Sequence, residues 1–357
     1  MSGSNQEKPH HPGQDAPNAA GPGLKMTDGW YVGDEPLPDH PLERLVYYAR
    51  LAPSSNNQQP WKFVVSDTEI DVFADTDKWL RVADRDRREM FISLGCAIES
   101  IRIAADYAGY GTSVKHFPVH NNETMVARIA VEREGPKRDA AVGHLLRYML
   151  LRHTSHRLFE RGRPVSDMDR KSLYAACQVG EVSLHYVSDP AALAELARLE
   201  TAADAQLFAD PDYRQEVAGW LGRDLFGTSW LLARLGTLAV AHLPLGSRFG
   251  ESDAQRMASA PLVGVLSTRG DRRVDELQTG EAYLRIALVA ERYDLRVQPA
   301  SQIIEVPETR AAAAKLCGLG NRVLQHLFRI GHATPDAVRT SREPLASMIL
   351  RTDKLPG

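Results

Sequence analysis

Apolar residues recur at spacings of three and four from Pro41 to Arg50. Leu42, Leu45, Val46 and Ala49 share one face there, which predicts a helix ending before Pro53. A polar loop follows to Pro60, and the alternation in Trp61–Val65 and Ile70–Ala74 predicts a β-hairpin. Arg88 to Tyr107 is the strongest helical pattern of the first half, ended by the αL-tolerant Gly109 and Gly111. Strands are expected at Ser113–Phe117 and Met125–Val131. Further along, helices are expected at Gly143–Leu151, Asp167–Cys177, Pro190–Leu207, Tyr213–Trp220 and Gly280–Arg292. Strands are expected at Val182–Val187, Pro261–Ser267, Leu295–Gln298 and Val323–Ile330.

The order of these elements contains a weak internal repeat. Tyr48-Ala-Arg-Leu-Ala, a loop and Trp61-Lys-Phe-Val-Val-Ser-Asp67 parallel Tyr174-Ala-Ala-Cys177, a shorter loop and Ser183-Leu-His-Tyr-Val-Ser-Asp189. The stretch from Leu94 to Gly109 parallels that from Thr279 to Asp294, each with an early glycine and small residues on one face. Two α+β units of one fold in a single chain account for both.

Composition narrows the function classes. The 357 residues are 43% hydrophobic, and 43 Lys and Arg against 46 Asp and Glu give a net charge of −3. That is the composition of a globular protein without the basic field of a nucleic-acid binder. No apolar run is long enough to span a membrane. Cys96, Cys177 and Cys317 are far apart, which predicts reduced thiols in a cytoplasmic protein and no metal site. Residues 1–26, rich in Gly, Pro, Asn, Gln and His, read as a disordered tail rather than a signal peptide.

The most informative stretch is Ala52-Pro-Ser-Ser-Asn-Asn-Gln-Gln-Pro-Trp61. Two hydroxyls and four side-chain amides lie between a helix and a strand, and amides can read a heterocycle edge of mixed polarity. A solvated polar turn is the plainer alternative, although the direct run of Pro60-Trp61 into a strand speaks against it. No dinucleotide fingerprint, P-loop, zinc-protease motif or serine-hydrolase elbow is present.

This loop resembles the signature of the FMN-binding nitroreductase superfamily. The likeness extends to the duplicated, single-chain Acg-like branch through Leu80-Arg-Val-Ala-Asp-Arg-Asp-Arg-Arg-Glu89, Ile92-Ser-Leu-Gly-Cys-Ala97 and Arg152-His-Thr-Ser-His-Arg-Leu-Phe159. Asp210 to Trp220, Thr279-Gly-Glu-Ala282, Ser301-Gln-Ile-Ile-Glu305 and Phe328-Arg-Ile-Gly331 follow in the same order. The matches run from about Pro38 to the C-terminus.

The resemblance implies an α+β fold of two tandem nitroreductase-like units, each an antiparallel-dominated sheet flanked by helices, forming a pseudo-dimer. The expected boundaries are 27–142 and 143–357, with a lid inserted over about 205–258, where Trp220, Phe226, Trp230 and Phe249 could shield a flavin. Ordinary members are homodimers with FMN at each interface, approached by a basic segment and an amide loop. Here the first half keeps only the loop. The second keeps the basic segment, and its loop has shrunk to Gln178-Val-Gly-Glu181. One complete site, and one FMN per chain between the halves, is the expectation.

Its residues would be Pro53, Ser54, Ser55, Asn57 and Gln59 from the loop and Arg152, Thr154, His156 and Arg157 from the basic segment. Pro299, Ala300 and Ser301 would lie along the ring, and Arg329 and Arg342 would complete the set. Arginines suit a phosphate because they are bidentate and always charged. His156 stands where the family often has a further arginine, and would make that affinity weaker or pH-dependent. Arg88-Glu89 resembles a pair near the flavin.

The implied activity is hydride transfer between FMN and a small organic substrate, by NAD(P)H-dependent reduction or flavin-dependent dehydrogenation. The alternatives are an FMN-storing stress protein with the flavin under its lid, and a relic that has lost FMN. A monomeric pseudo-dimer and a homodimer both remain open.

Overall fold

The computed structural model describes residues 25–27, 29–133, 140–221, 246–334 and 340–351. The described residues before Leu37 form a small unit of their own, in which β1 (Lys25–Thr27) and β2 (Trp30–Val32) pair antiparallel with Lys25 opposite Val32.

The chain from Leu37 onward is a second compact unit containing two sheets. Its first part starts with α1 (Pro41–Ala49), where Pro41 opens the first turn and His40 accepts the Glu43 N–H. Leu42, Leu45, Val46 and Ala49 are buried, as the spacing required. Next come β3 (Trp61–Val65), β4 (Glu69–Ala74), α2 (Arg88–Ala108), β5 (Gly111–His116) and β6 (Met125–Glu132). Every strand pair is antiparallel, in the order β3-β4-β6-β5.

The short helices α3 (Ala140–Gly143) and α4 (Leu146–Met149) lead to α5 (Asp167–Ala176) and β7 (Ser183–Val187). Then come α6 (Pro190–Ala209), α7 (Pro211–Leu221), α8 (Gly246–Ser259), β8 (Leu262–Thr268), α9 (Arg273–Arg292) and β9 (Arg296–Pro299). The remaining elements are α10 (Gln302–Glu305), α11 (Pro307–Leu316), β10 (Val323–Gly331) and α12 (Leu345–Met348). This sheet is also antiparallel, in the order β7-β8-β10-β9. Counted within each half, both sheets read first, second, fourth, third.

The halves meet where α2 packs on α9, and the repeat glycines are the contact. A Cβ on Gly95 would sit 1.9 Å from the Leu277 carbonyl oxygen, and one on Gly280 would sit 1.9 Å from that of Ile92. Each partner lies three residues before the other glycine, so the contact is reciprocal, as in an isologous interface. Both helices also end alike. Gly109 (φ 78°) and Asp294 (φ 57°) are left-handed, and Tyr110 and Leu295 donate their N–H to Ala105 and Ala290 at 2.8 and 2.9 Å. Buried carboxylates are matched across the crossing: Arg285 donates to Glu99 at 2.7 Å and Arg102 to Glu281 at 3.1 Å. A chain crossing completes the union, since Leu350 donates to Phe63 on β3 at 2.7 Å and Ile349 bridges it in parallel.

Four expectations shift. Helix α9 starts at Arg273 rather than Gly280, because Asp275 accepts the Arg272 N–H at 2.9 Å and its polar first turns hide the apolar spacing. Of the helix expected over Gly143–Leu151 only the short α4 forms, after α3 has ended at Gly143. Gly111 opens β5 instead of ending α2, and α8 and α11 were not anticipated. Of the lid, residues 222–245 lie outside the described residues, as do the side chains of Trp220, Phe226, Trp230 and Phe249.

Candidate functional site

The loop after α1 is held in an uncommon shape. Ser55–Asn57 is one 3-10 turn, and Asn56, Asn57 and Gln59 adopt φ of 46°, 55° and 53°. Each such residue costs about 1 kcal/mol, so the surroundings must fix it. Ser54 Oγ accepts the Gln59 N–H at 3.0 Å, and Ser93 Oγ on α2 accepts the Ser55 N–H at 3.1 Å.

The amides expected to read a ring edge do other work. Asn57 Nδ2 donates to the Ser341 carbonyl at 2.9 Å, and its Oδ1 accepts from Arg342 at 3.0 Å. Gln59 Oε1 accepts the Glu343 N–H at 2.9 Å, and its Nε2 donates to the Asn57 carbonyl at 3.2 Å. Asn57 and Gln59 thus clasp the C-terminal segment and bring Arg342 to the loop.

Glu89 links the halves. The Ser55 hydroxyl donates to its carboxylate, and Ser301 of the second half favours its charged form. Burial nevertheless raises the Glu89 pKa, and raises that of neighbouring Asp84 strongly, with their mutual repulsion adding to Asp84. Two N–H groups at the start of α2, of Glu89 and Met90, oppose the rise at Asp84, at 3.0 and 2.9 Å. The amide loop of the first half is therefore bonded to a carboxyl group that the 299–301 turn of the second also influences. Pro299 ends β9, and Ala300 is buried with its N–H on the Leu327 carbonyl at 2.9 Å.

The basic segment is tied to the same strand. Thr154 bridges Val297 in parallel, and Ser155 donates to the Val297 carbonyl at 3.3 Å. The Arg152 guanidinium is buried and acts electrostatically on the Cys96 thiol and the Tyr283 hydroxyl of the α2–α9 crossing. His156 and Arg157 are exposed, with Gln298 Nε2 3.0 Å from His156 Nδ1.

Arg329 departs from the expected set. It is 2% exposed and stacks on Phe159 at 4.1 Å. Its guanidinium donates to Gln298 at 2.5 Å, to the carbonyls of Arg256, Ser155 and Arg157 at 3.0, 3.1 and 2.7 Å, and to Ser259 at 3.3 Å. Five N–H donors thus meet five protein acceptors, so Arg329 shapes the backbone of the basic segment rather than holding a ligand. Arg88 is similarly a latch between halves, bonding Gln325, Asp271 at 2.7 Å and Asp86 at 3.2 Å.

Sequence reading missed the acids on α6. Glu200 and Asp204 fall on the buried stripe Leu193, Leu196, Ala203 and Leu207 of that helix. Acidic residues at apolar-stripe positions four apart were the available signal.

No family model matches the chain. The Mycobacterium tuberculosis protein named "Putative NAD(P)H nitroreductase Rv3131" is 29% identical over 311 residues, 84% of this chain and 88% of the relative. A second relative from that organism, given the same name with the designation acg, is 26% identical over 82% of this chain and 89% of its own length. A solved structure from Anabaena variabilis, described as a nitroreductase in the same provisional terms, superposes with a TM-score of 0.51. It covers 84% of this chain and 90% of that one at 12% identity, a likeness of fold.

Along most of its length the chain is thus similar to proteins named as nitroreductases, the Acg-like ones among them. The likeness to Rv3131 spans more residues than either half contains, so both halves take part. The nitroreductase fold supplies the two antiparallel sheets, and the bond from Arg342 to Asn57 joins the C-terminal segment of the second half to the loop of the first.

Proposed function

We propose that this chain binds one FMN between a first half of residues 27–142 and a second half of residues 143–357. It uses the flavin as an NAD(P)H-dependent oxidoreductase acting on a small organic acceptor. The observation that carries this reading is the amide loop of the first half held on Arg342 of the second, with Ser55 of the same loop bonded to the buried Glu89. The names of the relatives support the nicotinamide and nitroreductase parts.

The donor set suits a phosphorylated, planar cofactor. Arg152, Thr154, His156 and Arg157 come from one half, and Ser54 and Ser55 from the other. Arg342 is carried to that loop by the C-terminal segment. Arg157 and Arg342 would hold the phosphate, and Thr154 would add a neutral donor. Pro299, Ala300 and Ser301 form a small-residue turn against which a ring can lie closely. Bound FMN supplies a carrier that accepts and returns a hydride. The chain's own part is to bind, orient and exclude water, and no side-chain nucleophile is required.

The storage alternative leaned on lid aromatics that lie outside the described side chains, and the relatives' names give it no support. Anaerobic NADPH added to the purified yellow protein decides the activity: bleaching of the flavin band is expected, and a yellow protein that stays oxidised sinks the reductase. For the phosphate assignment, Arg157→Ala should weaken FMN binding by roughly ten- to a hundredfold. The nearby exposed Arg161→Ala should leave it unchanged. Equal FMN retention by the two variants in equilibrium dialysis would refute the assignment.

A further inference from the structure

Behind the 299–301 turn lies a seam of carboxyl groups that none of the cofactor roles uses. Glu200 and Asp204 project from α6, Glu305 from α10 and Asp253 from α8. Glu200 is 4% exposed and Asp204 0%. Both Asp204 oxygens, and one oxygen each of Glu200 and Glu305, are buried without any hydrogen-bond partner. Their mutual repulsion is felt from group to group: Glu305 by Glu89, Asp84, Asp204 and Glu200, and Glu200 by Asp204 and Asp253. The Tyr213 hydroxyl on α7 faces Glu305, Asp204 and Glu89.

Positive charge near the seam is already engaged. Arg256 on α8 pairs with Asp253 and donates to the His156 carbonyl at 2.8 Å, and the five N–H donors of Arg329 on β10 are bound as described. An isolated buried carboxylate costs several kcal/mol unless it is paired or neutralised. Among the described residues no group of three acids, histidines or cysteines is arranged to hold a metal ion. The carboxyls are thus unsuited to a metal ion, and a larger cation with spread charge and several N–H donors matches them better. Glu305 and Ser301, at the end of the seam next to the proposed flavin turn, are half-buried.

We infer that the carboxyl seam between α6, α8 and α10 is a binding site for the cationic group of an organic substrate, of the amidinium or ammonium class. Its assignment to the substrate rests on the flavin reading above, whereas the cation site itself does not. Burial pushes the Asp204 pKa up to about 8 and raises Glu200 and Glu305 strongly. Asp253 also raises Asp204, and Arg256 lowers it. Cation binding therefore draws protons off the seam and tightens as pH rises.

The test is calorimetric titration of the purified protein with benzamidine and with its neutral isostere benzamide. Benzamidine should bind at least about tenfold more tightly, with the preference growing from about pH 6 to about pH 9. Asp204→Asn and Glu200→Gln should each lose at least about tenfold, and Glu308→Gln, an exposed acid on α11, should not. Equal binding of the two probes, no binding of either, or benzamidine binding indifferent to Asp204→Asn overturns the site. Flavin absorbance is read separately. A colourless protein that still prefers benzamidine refutes the cofactor and keeps the cation site. A yellow protein blind to the charge of the probe does the reverse.

Discussion

Valine at Gly95 or at Gly280 should destabilise the protein by at least about 3 kcal/mol and collapse its soluble yield. A Cβ at either position would lie 1.9 Å from a carbonyl oxygen of the facing helix, and rigid backbone cannot yield as a flexible side chain can. The helices must separate, and with them the two sheets. Gly162 faces open space, so Gly162→Ala should change stability by no more than about 0.5 kcal/mol. Urea denaturation of the three variants checks this. Near-native midpoints for both valine variants would show that the crossing is not close-packed.

Asp204→Asn should stabilise the protein in alkaline solution. In the folded state the Asp204 pKa is pushed from 3.8 to about 8, by burial first and repulsion from Asp253 second. Between those values the folded chain keeps a proton that the unfolded chain releases. The stability this provides is complete below about pH 4 and is lost as pH rises through about 8. At about pH 9 the wild type should therefore be roughly 3–5 kcal/mol less stable, relative to its acidic optimum, than a chain with a neutral side chain there. Thermal melts from about pH 5 to about pH 9 should fall less steeply for Asp204→Asn. Glu200 and Glu305 will keep part of the slope, since burial raises both. Parallel curves for variant and wild type would contradict the buried, unpaired state of Asp204.

Much of the fold was legible because its signals are local. The alternation at Trp61–Val65 and the spacing in α1 gave those elements almost to the residue. The repeat of Leu94–Gly109 in Thr279–Asp294 marked the two helices that cross, because a close approach of backbones leaves glycine in the sequence. Helix α9 was read seven residues short because its first turns are held by the Asp275 cap and by charged pairs, not by an apolar stripe.

The site was legible in its parts and less so in its wiring. The loop, the basic segment and the 299–301 turn were each expected to contribute, and the structure ties the loop to Glu89 and Arg342 and the basic segment to Val297. What a side chain bonds depends on segments remote in sequence. Asn57 and Gln59 looked like ligand readers until Ser341, Arg342 and Glu343 were found against them. Arg329, inside a family motif, turned out to brace the very segment it was expected to assist. The carboxyl seam was overlooked because acids on a helix are ordinarily read as its solvated face.

The central claim is that two incomplete halves make one cofactor site. The direct measurement is the FMN-to-chain ratio of the purified protein reconstituted with excess FMN and freed of unbound flavin. FMN is quantified by absorbance after denaturation and protein by amino-acid analysis. One FMN per chain is the expected result. Two per chain would mean that each half binds FMN on its own, and none would mean that the residues gathered around Glu89 do not form a flavin site.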